Sequence, residues 1–126
     1  MKAIILETPG GVENLTIQEV ERPTIKSGEV LIQVKAISIN PVDVKSRSGK
    51  GVYGRIKDEN PLILGWDISG IVVESQDAKF KTGDAVFGMV QFPGHGRAYA
   101  EYVAAPASQL ALKPQNITHE EAAAAT

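Results

Sequence analysis

Val30-Leu31-Ile32-Gln33-Val34-Lys35-Ala36-Ile37-Ser38-Ile39-Asn40-Pro41-Val42-Asp43 is the stretch whose reading decides the fold. Val30, Ile32, Val34 and Ala36 alternate with Leu31, Gln33, Lys35 and Ile37, the clearest period-two pattern in the chain, and predict a strand over 30–39. Asn40-Pro41 ends it. Asn caps helices well, and Pro suits the first helical position because its missing N–H would have had no partner there. A short helix over 41–48 is therefore expected, with Asp43 at its third position, where a carboxylate suits the positive helix end. Gly49 supplies the stop. A polar residue at such a strand-to-helix corner is exposed and firmly aimed, which is where binding sites are often built.

Outward from this corner the chain reads as short strands separated by turns. Strands are expected over 2–7, 15–20, 68–74, 85–89, 98–104 and 109–112. Pro9-Gly10-Gly11, Ser27-Gly28 and Lys81-Thr82-Gly83-Asp84 read as turns, and Gly70 marks a close backbone approach inside its strand. Residues 49–60 form a glycine- and charge-rich loop, a length usually associated with function or mobility. Thr118-His119-Glu120-Glu121 is a capping box that opens a helix, and the chain ends about two turns later. Such spacing points to an all-β, barrel-like fold.

Composition sets the outer bounds. At 126 residues the chain is one domain by length, with 43% hydrophobic and 22% charged residues, ordinary values for a globular protein. A formal charge of −2 gives no electrostatic reason to expect nucleic acid or an anionic membrane surface as partner. The apolar start Met1-Lys2-Ala3-Ile4-Ile5-Leu6 stops at Glu7, too short for a secretory signal, and no stretch approaches a membrane span. A cytoplasmic location is the expectation. There is no Cys, so disulfides and thiolate metal sites are excluded, and the two His, His95 and His119, are expected to face solvent in different elements. No metal site is expected.

The corner, together with Gly65-Trp66-Asp67, Thr82-Gly83-Asp84 and Tyr99-Ala100-Glu101-Tyr102-Val103, resembles the N-terminal domain of the medium-chain dehydrogenase/reductase superfamily. The nearest branch is similar to the zinc-independent, zeta-crystallin-like quinone oxidoreductases. In the zinc-dependent alcohol dehydrogenases of that superfamily the strand ends in a metal-binding Cys, and a downstream His is a second ligand. Asn40 stands at the Cys position and Trp66 at the His position, while Asp43 and Asp67 keep the acidic places. The resemblance implies a mainly β, GroES-like partly open barrel with one or two short helices. It implies that residues 1–126 are the catalytic domain of a reductase, truncated before the nicotinamide-binding Rossmann domain. The expected whole protein reduces quinones or α,β-unsaturated carbonyls with NADPH and without zinc, and is a homo-oligomer. The isolated domain is expected to be inactive and to bind NADPH weakly or not at all. Alternatives from other classes are a non-enzymatic GroES-like module, which the charged 49–60 loop argues against, and an enoyl-thioester reductase.

Site residues follow from the same resemblance. Asn40 and Asp43 are the catalytic candidates, with Asn40 and Pro41 also facing the nicotinamide. From spacing alone Asn40 is a helix cap and Asp43 a capping partner that holds the corner. Trp66 is either core packing with a satisfied indole N–H or an aromatic wall of the substrate pocket. Asp67 is either a turn residue or a hydrogen-bond partner behind the corner. Tyr53 is a substitute pocket aromatic, and Lys45 either reaches a cofactor phosphate or is a solvated helix-face residue. Val42, where a hydroxyl residue is common in the alcohol dehydrogenases, cannot relay a proton. Gly49-Lys50-Gly51-Val52-Tyr53-Gly54 matches a dinucleotide fingerprint by letter, but a helix precedes it where a strand is needed.

Overall fold

The structure, a computed structural model, describes all 126 residues. Seven strands run β1 (Lys2–Leu6), β2 (Leu15–Glu19), β3 (Glu29–Ser38), β4 (Asp67–Ser75), β5 (Ala85–Met89), β6 (Tyr102–Pro106) and β7 (Ala111–Leu112). Three short helices are α1 (Pro41–Arg47), α2 (Tyr53–Ile56) and α3 (His119–Ala124). All pairings are antiparallel: a five-stranded sheet in the order β6-β3-β4-β5-β7, and a hairpin-like pair β1-β2. The mainly β, partly open barrel expected from the sequence is what forms.

β3 is an interior strand between β6 and β4, and successive residues Val30, Leu31 and Ile32 are all buried, so both of its faces are covered. Val30 and Ile32 are fully buried in the main core with Ile68, Val72, Val86 and Val103. Val34 and Ile37 both pack against that same core, a spacing of three that a regular strand forbids. The register explains it: Val34 pairs with Gly70 and Ala36 with Ser69, so Lys35 is an extra, bulged residue that rephases the strand. Gly70 is indeed a close approach, because a Cβ there would lie 2.2 Å from the Gln33 carbonyl oxygen.

Three expectations are corrected. The segment from Ala98 is extended, but its first part is shared between sheets. Ala3 bridges Ala100, Ile4 N–H donates to the Tyr99 carbonyl, and only Tyr102 onward joins β3 as β6. Residues 109–112 are a 3₁₀ turn over Ala107–Gln109 followed by the two-residue β7, since Leu110 turns inward to bury. The 49–60 loop contains α2, a helical turn nucleated by burying Ile56 (1% exposed) against Leu6, Leu62, Leu64 and Trp66. The charges at Arg55, Lys57, Asp58 and Glu59 hid that apolar anchor. A one-turn helix therefore does follow the fingerprint-like glycines, but α1 precedes them, and Gly51 serves instead to pass close to Ser46.

α3 forms as the capping box predicts. Glu121 N–H donates to the Thr118 hydroxyl, Thr118 N–H donates to the Glu121 carboxylate, and Ala122 and Ala123 bury against the sheet.

Candidate active site

Asn40 sits at the N-cap of α1 in extended conformation (φ −121°, ψ 166°), followed by Pro41 at the first helical position. The far end of α1 closes as a Schellman motif, with Gly49 at φ +100°, Gly49 N–H donating to Ser46 O and Lys50 N–H to Lys45 O. Both ends of this seven-residue helix are thus fixed by local sequence, and the corner is held rigid.

The Asn40 side chain does not cap the helix. It makes no cap hydrogen bond, and its Nδ2 donates instead to Asp67 Oδ2 at 2.5 Å. Capping falls to Asp43, whose Oδ1 accepts from the Asn40 backbone N–H at 3.3 Å. The other Asp43 oxygen accepts from the Tyr99 hydroxyl at 2.5 Å. A continuous polar chain results, Tyr99 to Asp43 to Asn40 to Asp67, in which Asp43 is 2% and Asp67 0% exposed. Asp67 Oδ1 has no hydrogen-bond partner. Burial raises the Asp43 carboxyl above its ordinary 3.8; the Tyr99 and Asn40 hydrogen bonds oppose this, and the Asp67 charge reinforces it. Burial, the hydrogen bond to Asp43 and the Asp43 charge push the Tyr99 phenol far above its ordinary 10.0. Tyr99 therefore donates at every working pH.

Tyr99 is the site residue that sequence reasoning missed. Its signal lies in small neighbours: Gly65 is at φ +97°, and a Cβ there would meet the Tyr99 ring at 2.6 Å. Glycine makes the room that lets the phenol reach Asp43. Of the two readings of Asp67, the hydrogen bond from behind the corner is the one observed.

The other candidates fall elsewhere. Trp66 is 1% exposed, its Nε1 donates to the Gly94 carbonyl at 2.7 Å, and Phe92 packs edge-on at 5.7 Å between ring centroids. It lines no cavity of this domain, where it is packed in the core, and Phe92 is the exposed aromatic of the pair. Tyr53 lies on α2, half-buried against the Leu6–Ile56–Trp66 cluster, lining a cavity of about 330 Å³ that contains none of Asn40, Asp43 or Asp67. The structure does not bring it to the corner. Pro41 and Lys45 are exposed on α1. The largest cavity, about 510 Å³, is lined by His95 and Arg97 and likewise omits the corner. Beside the corner is a smaller, mostly apolar cavity of about 200 Å³ whose lining includes Asp43, Arg47, Tyr99, Ile37, Ile39 and Leu64.

Both His are half-buried and hydrogen-bonded inward, where solvent-facing side chains were expected. Ile63 N–H donates to His95 Nε2 at 3.0 Å, which places the neutral ring's proton on Nδ1, 3.6 Å from Glu59. His119 Nδ1 and the buried Ser69 hydroxyl share a 2.7 Å hydrogen bond that fastens α3 to β4. No group of three His, Cys, Asp or Glu side chains is arranged to hold a metal ion.

The profile of the alcohol dehydrogenase GroES-like domain matches residues 26–115. The NADPH-dependent alkenal/one oxidoreductase of Arabidopsis thaliana is 37% identical over 98% of this chain, which covers 33% of that protein. The 2-methylene-furan-3-one reductase of Solanum lycopersicum is also 37% identical over 98%, covering 34% of its length. The chain thus spans about a third of the length of these relatives. Among solved structures, the quinone oxidoreductase from Coxiella burnetii superposes with a TM-score of 0.92 at 36% identity, over 98% of this chain and 40% of that one. A mycobacterial protein complexed with NADPH gives 0.85 at 34% identity, over 100% of this chain and 36% of that one.

Proposed function

We propose, from the premise that this chain belongs to the alcohol dehydrogenase GroES-like domain family, that it is the substrate-side domain of a zinc-independent NADPH-dependent reductase of quinones or α,β-unsaturated carbonyls. The single observation carrying this reading is the Asn40 corner, a half-buried residue whose carboxamide is held by buried Asp67 and whose backbone N–H is held by buried Asp43, itself bonded by Tyr99. The similar plant alkenal/one and 2-methylene-furan-3-one reductases and the Coxiella quinone oxidoreductase suggest the substrate class. The nicotinamide-binding Rossmann domain lies, in this proposal, in the part of the polypeptide beyond residues 1–126.

The residues fit a nicotinamide. Asn40 offers an aimed amide to a carboxamide or an acceptor oxygen, and Pro41 a flat apolar contact beside it. The corner offers zinc neither Cys nor His, only one amide and two carboxylates already bonded to Asn40 and Tyr99, and no three His, Cys, Asp or Glu side chains converge there. When bound, the nicotinamide supplies the hydride. The chain's own residues orient the acceptor and exclude water; the corner is rigid, so little freedom is lost when the partners meet. Without a Lewis acid, an electron-poor quinone or enone is the easier acceptor, because it needs less help to hold developing charge. Val42 cannot relay a proton, so the second hydrogen comes from water. The test is NADPH oxidation by the whole protein after chelation. Turnover with a benzoquinone or an enal, and none with a simple ketone, is expected. A requirement for added zinc contradicts it.

A further inference from the structure

We propose that Asp43 and Asp67 together set a negative field at the corner that favours the oxidised, positively charged nicotinamide over the reduced one. This rests on the reading above and deepens it. Both carboxyls are buried, at 2% and 0% exposure, and neither belongs to a salt bridge; the two ion pairs present are Met1–Glu19 and His95–Glu59. Every donor to them is neutral: the Tyr99 hydroxyl, the Asn40 backbone N–H and the Asn40 side-chain amide. Arg47 lines the small cavity beside Asp43 and its field reaches Tyr99, but its Nε is turned to the Gly10 carbonyl at 3.2 Å and it forms no ion pair with either acid. One Asp67 oxygen, wholly buried, has no partner.

Two buried acids without a counter-cation are costly, and interiors normally pair such charges. Here the compensating charge is one that arrives in the reaction. As the acceptor takes two electrons and one proton as hydride, and a second proton from water, the nicotinamide ring is left with one positive charge. With the nicotinamide held at Asn40, both carboxylates would lie behind that charge, bonded to the Asn40 backbone N–H and side-chain amide. The carboxylates touch no reacting atom; they act through the field from buried positions, where water screens them least. Asn40 is polarised the same way: its Nδ2 donates to a carboxylate, which makes its Oδ1 a stronger acceptor.

The experiment measures binding of NADP⁺ and of NADPH separately to the whole protein by calorimetry, for wild type, Asp67→Asn and Asp43→Asn. Each variant is expected to weaken NADP⁺ relative to NADPH by about three- to tenfold, with NADPH affinity kept within about twofold. An unchanged ratio, or equal loss of both affinities, overturns the proposal, since a merely structural role moves both alike. If wild type binds neither nucleotide, it is the reductase reading that fails. Should both variants unfold, the wild-type ratio against pH decides. Asp43, facing Tyr99, Asp67 and the Asn40 N–H, titrates above 3.8, and preference for NADP⁺ should grow as pH rises through that titration. A flat ratio overturns the proposal; the phosphates, common to both nucleotides, cancel.

Discussion

Tyr99 shows how much of this site one hydroxyl holds. Tyr99→Phe keeps the ring packed against Gly65 but leaves Asp43 Oδ2, in a 2%-exposed carboxyl, without its donor. The expected cost is about 1–3 kcal/mol, read from denaturant unfolding of this domain. A loss below about 0.5 kcal/mol would mean that the hydrogen bond is marginal. His95 makes a pH prediction. Burial lowers it below the ordinary 6.5, outweighing the nearby Glu59 carboxylate. The unfolded chain then binds the proton more readily, so this contribution is full above 6.5 and is lost as pH falls through the lower folded value. His95→Gln should flatten the acid side of the stability profile. His119, lowered mainly by burial, leaves part of the slope in place. An unchanged profile would contradict the role given to the Ile63–His95 bond. Asp43 acts in the opposite sense: its folded value is raised, so its contribution is full below 3.8 and declines as pH rises through the folded value.

The β3–α1 element was legible because its information is local. Alternation, Asn-Pro, an acid three residues on and a glycine stop all lie within 20 residues, and α1 forms between its predicted caps. What was not legible is the destination of the side chains. Asp67, 27 residues from Asn40, was open between a turn residue and a partner behind the corner, and Asp43 finds Tyr99 56 residues away, a partner no local pattern encodes. The Lys35 bulge was hidden for the same reason, since a period-two reading runs straight through a residue that only the partner strand leaves unpaired. α2 was masked by charge. Gly70, by contrast, could be read, and it makes the element-scale prediction. Gly70→Ala places a Cβ 2.2 Å from the Gln33 carbonyl oxygen in the neighbouring strand, where backbone cannot easily yield. The expected loss is about 1–3 kcal/mol. A variant as stable as the parent in thermal melts would mean that the two strands can separate freely at this point.

At the scale of the molecule, the barrel holds α1 at the end of β3, beside the start of β4, and that places one amide in front of two acids. The chain accounts for about a third of the relatives' length, so the corner is one wall of the proposed site. The fold could be anticipated from turn chemistry and alternation. Trp66 was not legible, because a lone tryptophan in a Gly-Trp-Asp turn reads equally as wall or core until its neighbours are known; within this domain its indole is bonded to the Gly94 carbonyl and it is 1% exposed. The central claim is that the Asn40 amide, set by Asp43 and Asp67, does the orienting work at this corner without zinc. The most direct measurement is steady-state NADPH oxidation with a benzoquinone, in the presence of a chelator, by the whole protein and its Asn40→Ala variant. The account predicts turnover by the parent and a fall in kcat of about tenfold or more in the variant, with the fold unchanged. Equal kcat in the two proteins, or a parent silenced by the chelator, would contradict it.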